Sequence, residues 1–154
     1  MALIFMDSST VAKRYVQEAG SVWVSSLFTV VPANNVVIAA ITRVEVIAAL
    51  TRRVRSGTIT QTDAAAACVL FLADIAAEYR VVPIAESVLN QAVRLAQAHK
   101  LRGYDAVQLA AGIQVNQFCL TLGLPPVIFV SADHDLNAAA SAEGMTVDDP
   151  NAHP

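Results

Sequence analysis

Charge is scarce in this chain: Asp, Glu, Lys and Arg make up 15% of its 154 residues, while hydrophobic residues make up 55%. A composition this apolar leaves surface for a partner to cover, so oligomerisation, most simply a homodimer, or a bound protein is expected. The net charge of −3 gives no general attraction to nucleic acid, so any basic patch must be local. The two cysteines, Cys68 and Cys119, lie in apolar helical contexts without a CxxC pair. They point to buried thiols rather than a disulfide or a zinc site. Long apolar runs are missing too. The longest, residues 64–73 and 36–41, are too short to cross a bilayer, and the amino terminus lacks the basic region and cleavage pattern of a signal peptide. A cytoplasmic protein with no membrane contact is expected. No repeat, low-complexity stretch or composition shift marks a linker, so residues 1–154 read as a single domain.

What is present alternates between short β-forming runs and helical periodicity. Residues 2–6 form an apolar run ending at Asp7, and Ser8, Ser9 and Thr10 offer caps for a helix that begins at Val11. Val22, Trp23, Leu27, Val30 and Val31 recur at helical intervals before Pro32, and a β-branched run over 36–40 reads as the second strand. Thr42 to Glu45 has the spacing of a capping box, which predicts a helix to about Arg55 with Gly57 as its stop. Thr60 to Asp63 repeats that spacing before an alanine-rich helix reaching about Tyr79. A strand over 81–84 follows, then a helix over 86–100 that buries Val88, Leu89, Ala92, Val93, Leu95 and Ala96 and is broken by Gly103. Asp105 opens the next helix, 127–130 is a strand, a short helix starts near Leu136, and 145–147 is the last strand. Strands separated by helices imply right-handed crossovers, hence a three-layer α/β/α sandwich with a mainly parallel central sheet.

The acids are the informative residues. Asp7, Glu45, Asp105 and Asp133 are far apart in the chain, yet each sits where an apolar run meets a helix. Each has an ordinary explanation: Asp7 and Asp133 as helix caps, Glu45 as the reciprocal half of its box, Asp105 as a first-turn acid favoured by the helix dipole. Their joint placement says more. Loops beyond the carboxyl ends of parallel strands converge on one crevice, and carboxylates gathered there repel unless protonated or bound to a cation. An all-oxygen set with no histidine or cysteine pair suits magnesium or manganese. Arg52, Arg53 and Arg55 crowd one segment, while Lys13, Arg14, Arg43 and Arg102 lie near the acids in sequence.

Phe5-Met6-Asp7-Ser8-Ser9, Thr42-Arg43-Val44-Glu45, Gly103-Tyr104-Asp105-Ala106-Val107-Gln108-Leu109-Ala110 and Val130-Ser131-Ala132-Asp133 resemble the ordered motifs of the PIN domain. The resemblance is to its VapC-like toxin branch and spans Leu3 to about Val147. It implies a magnesium- or manganese-dependent ribonuclease held inactive by a cognate antitoxin. Asp7, Glu45, Asp105 and Asp133 are then the acidic set, with Ser9, Ser131 and Asp135 auxiliary. In the hydrolysis this implies, Asp7 and Asp105 are expected as metal ligands and Asp133 as a ligand or water positioner. Glu45 is expected to act through water or as general base. Lys13, Arg43 and Arg102 are candidates for RNA phosphate contacts. Trp23, Leu27 and Phe28, with Val46, Ile47 and Leu50, are expected either in the core or as a groove for an antitoxin segment.

Two other classes compete. An inactive PIN-like interaction protein would use the acids only as caps, and its stability would not respond to metal through Asp105. An aspartate-based phosphotransfer or receiver domain would need a second acid beside Asp7, where this chain has Ser9.

Overall fold

The computed structural model describes residues 1–30 and 32–153. Five strands, β1 Leu3–Met6, β2 Asn35–Ala39, β3 Tyr79–Val82, β4 Ile128–Val130 and β5 Thr146–Asp148, alternate with seven helices. These are α1 Ser8–Tyr15, α2 Ser21–Ser26, α3 Thr42–Arg55, α4 Gln61–Ala77, α5 Glu86–His99, α6 Gly103–Thr121 and α7 His134–Ala142; a 3₁₀ turn, Pro150–Ala152, follows β5. The strands form one sheet in the order β3-β2-β1-β4-β5, and each neighbouring pair is parallel.

Side-chain alternation sorts the core into two halves, because successive residues of a strand point to opposite faces. Ile4, Met6, Val36 and Ile38 pack with Val11, Val46, Leu50 and Phe71, which come from α1, α3 and α4. Phe5, Val37 and Phe129 pack with Leu95, Leu109 and Leu136, from α5, α6 and α7. The sheet is therefore the middle of three layers. From β1 the chain moves outward through β2 to β3 and then returns to place β4 on the other side of β1. This reversal opens a crevice beyond the carboxyl ends of β1 and β4, where Asp7 and Ser131 stand.

The seat of α6 is tight. Gly112 has no side chain, and a Cβ there would meet two carbons of the Phe129 ring at 2.8 and 2.9 Å. That ring stacks on Phe5 with centroids 5.6 Å apart. Gly112→Ala is therefore expected to cost about 1–3 kcal/mol through forced displacement in a packed core. Urea unfolding checks this, and an unchanged midpoint would show that the aromatic pair yields freely.

Several boundaries differ from the sequence reading for identifiable reasons. The third strand begins at Tyr79, not 81, because the register pairs Val36 with Tyr79 and Ala39 with Val82; Pro83 then offers no N–H to continue. Helix α5 ends at Lys100 in the left-handed conformation, φ 55°, so Gly103 does not break it and instead starts α6. Leu89 and Val93 are exposed, leaving Val88, Ala92 and Leu95 as its buried stripe. The first cap is Asp7 rather than one of the three hydroxyl residues after it. Thr42 is inside α3 and makes no capping bond, so the expected capping box is absent; at Thr60 the cap does form, accepting from the Asp63 N–H. Val31 lies outside the described residues. Cys119 is buried and Cys68 half-buried, both as free thiols. Apolar surface remains at Val69, Leu70 and Phe118. Among the described residues no helix is long and apolar enough to cross a membrane.

Candidate active site: an acid-lined crevice at the strand switch

Asp7 is buried and does not itself line the crevice, whose lining includes its hydrogen-bond partner Ser9. The Asp7 N–H donates to the Val130 carbonyl (3.2 Å), joining the ends of β1 and β4. Its carboxylate caps α1 by accepting from the Thr10 N–H at 3.0 Å. The Ser9 hydroxyl lies 2.8 Å from both carboxylate oxygens, and the Ser131 hydroxyl donates to Oδ2 at 2.9 Å. Both hydroxyls also accept: Ser9 Oγ from the Ala132 N–H and Ser131 Oγ from the Asp133 N–H, each at 3.0 Å. The two serines thus stitch the loop after β4 onto Asp7. Burial pushes the Asp7 carboxyl up from 3.8 to about 6, and these hydrogen bonds only partly oppose the rise.

The other acids stand around the crevice. Glu45, in the first turn of α3, is half-buried, and its Oε1 accepts from Gln108 Nε2 at 2.7 Å. Asp105, in the first turn of α6, is half-buried. Burial raises its carboxyl, the nearby Asp133 and Glu45 charges add to the rise, and Arg102 opposes it. Asp133 caps α7 by accepting from the Leu136 N–H at 2.9 Å. A crevice of about 700 Å³ is lined by Ser8, Ser9, Glu45, Asp105 and Ala132, with Lys13, Arg52, Arg53, Arg102 and Tyr104 on its walls. A second depression of about 400 Å³ shares Arg102 and Asp105 with it and adds Asp133 and Asp135. Among the described residues no three Asp, Glu, His or Cys side chains close on a single point at ligand distance. The acids face common space without forming a finished cage.

The structure divides the expected residues. Asp7, Ser9, Ser131 and Asp133 are connected by hydrogen bonds, and Glu45 and Asp105 border the same crevice. Asp135 points outward, its side chain 94% exposed beside His134. Lys13 lines the crevice but is mostly buried, donates to the Ala19 carbonyl at 2.9 Å and pairs with Glu18 at 3.4 Å, so its charge already has a partner within the chain. Arg43 is exposed and does not line the crevice, whereas Arg102 does. Arg14 turns away to Asp74 and Glu78. Of the two alternatives for the segment around Trp23, core or antitoxin groove, the contacts match the core. Val46 and Leu50 are buried, Phe28 packs edge-on to Tyr79, and Trp23 stacks on His153 at 4.1 Å.

Sequence reasoning gave no site role to two positions that the structure sets beside the acids and that helical spacing marks. Arg52 is seven residues beyond Glu45 and Gln108 three beyond Asp105, so each shares a helix face with an acid. Arg53 also lines the crevice but is paired with Glu18 at 2.7 Å.

The PIN domain family model matches residues 4–141. Ribonuclease VapC45 of Mycobacterium tuberculosis is 31% identical over 147 residues, covering 96% of this chain and 95% of that protein. Among solved structures, M. tuberculosis VapC20, a Sarcin-Ricin loop cleaving toxin, superposes with a TM-score of 0.62 at 21% identity, covering 93% of this chain and 96% of the other. A toxin-antitoxin complex from Klebsiella pneumoniae gives 0.53 at 15% identity, covering 84% of this chain and 86% of the other.

Proposed function

We propose, because this chain belongs to the PIN domain family, that it hydrolyses RNA phosphodiester bonds with the help of magnesium or manganese. The observation that carries the reading is the convergence of Glu45, Asp105 and Asp133 around the crevice, where Asp105 feels the charge of both other acids. The residues fit a hard divalent ion. The donors are all oxygen, their mutual repulsion is what such a cation relieves, and magnesium commonly keeps several waters and needs only one or two protein carboxylates. A loose set of acids is therefore compatible with it.

Asp105 and Asp133 would hold the ion from the crevice wall. Asp7, whose carboxylate is held by Ser9, Ser131 and the Thr10 N–H, would supply a further oxygen donor. When bound, such an ion polarises a phosphoryl oxygen and lowers the pKa of an attacking water. Glu45 borders the same space and would orient that water or accept its proton. Arg52 and Arg102 would take the flanking phosphates, while the Ser9 and Ser131 hydroxyls keep the loop after β4 in place.

The relatives' toxin character supports a protein partner that restrains the activity, and we read that partner as a cognate antitoxin. The exposed apolar residues support a homodimer, and the cytoplasm is the compartment consistent with an RNA substrate. Residues 1–154 act as one domain in this reading.

The test is cleavage of a mixed RNA pool by purified, partner-free protein with magnesium, manganese or chelator. Cutting that requires metal and stops with chelator is expected; chelator-insensitive cutting, or none under any condition, would count against the reading. The cationic wall has its own test. Arg52→Ala or Arg102→Ala should weaken RNA binding and reduce the slope of log affinity against log salt by about 1. Arg43→Ala, away from the crevice, should change neither. Equal slopes in all three variants would remove the wall from the binding surface.

A further inference from the structure

Gln108 is almost completely buried, at 1% exposure, yet neither a cap nor a sheet bond explains its amide. Its Nε2 donates to the Thr42 hydroxyl oxygen at 2.9 Å and to Glu45 Oε1 at 2.7 Å, while its Oε1 has no partner. A buried acceptor left empty is costly, so the amide is held in this orientation by something worth more. The reverse orientation would set Oε1 against the Glu45 carboxylate, oxygen to oxygen. Thr42 is itself fully buried and anchors the amide from below. From the acceptors it meets, we infer that Gln108 is a positioning residue that fixes Glu45 against the crevice wall. This rests on the ribonuclease reading and deepens it.

The placement has a mechanical consequence. Gln108 is three residues beyond Asp105 on α6, and Glu45 belongs to α3. One amide therefore ties the two helices that carry these acids, and the distance between the acids follows the seating of α6 on the sheet. Without the amide, Glu45 keeps its exposure to the crevice but loses its donor. Its side chain is then free to sample rotamers that point away, and a misplaced catalytic group loses rate without losing substrate affinity.

The decisive experiment compares wild type, Gln108→Met, Glu45→Gln and the double variant in single-turnover RNA cleavage with enzyme in excess. Methionine keeps the length of the side chain and removes the donor. Gln108→Met should slow cleavage about 10- to 100-fold with RNA affinity unchanged, and should slow the Glu45→Gln protein by less than about 2-fold. Equal losses in both backgrounds would overturn the inference, since a merely structural role acts whatever stands at 45. The second measurement is the position of Glu45 in a crystal structure of Gln108→Met. If that variant does not fold, Gln108→Leu replaces it, because it also removes the donor and adds no charge beside Glu45. A Glu45 side chain turned from the wall supports the inference, and an unmoved one overturns it. Wild type that cuts no RNA would instead bring down the ribonuclease reading, and the Glu45 position would still decide the role of Gln108.

Discussion

Asp105→Asn should lower the single-turnover rate of RNA cleavage by at least about 100-fold while RNA still binds. Removal of groups that merely support metal ligands costs about 10- to 100-fold, so loss of a carboxylate in direct contact should exceed that range. The structure makes Asp105 the sharpest choice. It is the only one of the acids that borders both depressions, and Asp133, Glu45 and Arg102 all act on its charge. Folding should not suffer. With no cation bound, the neutral amide relieves repulsion among the acids, so the metal-free variant should melt no lower than wild type. A variant that cuts normally would move the chemistry away from this crevice, and one that fails to bind RNA would reassign Asp105 to the fold.

Asp7→Asn should also abolish cleavage, with an unusual effect on stability. The folded Asp7 carboxyl is raised to about 6 from 3.8, chiefly by burial. A carboxyl raised on folding binds its proton more tightly in the native state. The Asp7 contribution to metal-free stability is then highest below about pH 4, falls as pH rises to about 6, and is level above that. Ionised Asp7 thus destabilises the metal-free protein at pH 8. Asparagine can still accept from the Thr10 N–H and pair with the rotatable serine hydroxyls. The metal-free variant should therefore be more stable than wild type at pH 8, by on the order of 3 kcal/mol, and should lack the part of the slope between pH 4 and 6 that Asp7 contributes. Since a ligand carboxylate must shed its proton, cation binding to wild type should strengthen as pH rises through about 6. Thermal unfolding across this pH range, with and without magnesium, measures all three effects. A variant less stable than wild type at pH 8 would show that the hydrogen bonds of ionised Asp7 outweigh its burial.

Much of the site was legible because its residues carry local signals. Asp7 and Asp133 follow apolar runs and precede helices, a local pattern that by itself places both at the carboxyl edge of the sheet. The ordinary explanation holds for both, since Asp7 and Asp133 are caps, and Asp133 also lines the depression it shares with Asp105. What stayed hidden depends on where long side chains go. Lys13 looked available because it follows Asp7 closely, but only the folded chain brings Glu18 and the Ala19 carbonyl to its ammonium group. Trp23 left core and partner groove both open, and the ring that it stacks on, His153, comes 130 residues later in the numbering. The capping box at Thr42 failed because Gln108, from a helix far along the chain, takes both its hydroxyl and Glu45. Strand β3 was shifted for the same kind of reason, since pairing with β2 rather than local propensity decides where it starts.

The most direct test is electron paramagnetic titration of manganese into chelator-stripped wild type and Asp105→Asn at pH 8, without RNA. Wild type should hold manganese and the variant should lose most of that binding at the same concentrations. Equal binding by the two proteins would contradict the account, because the acid-lined crevice would then not be where the cation sits.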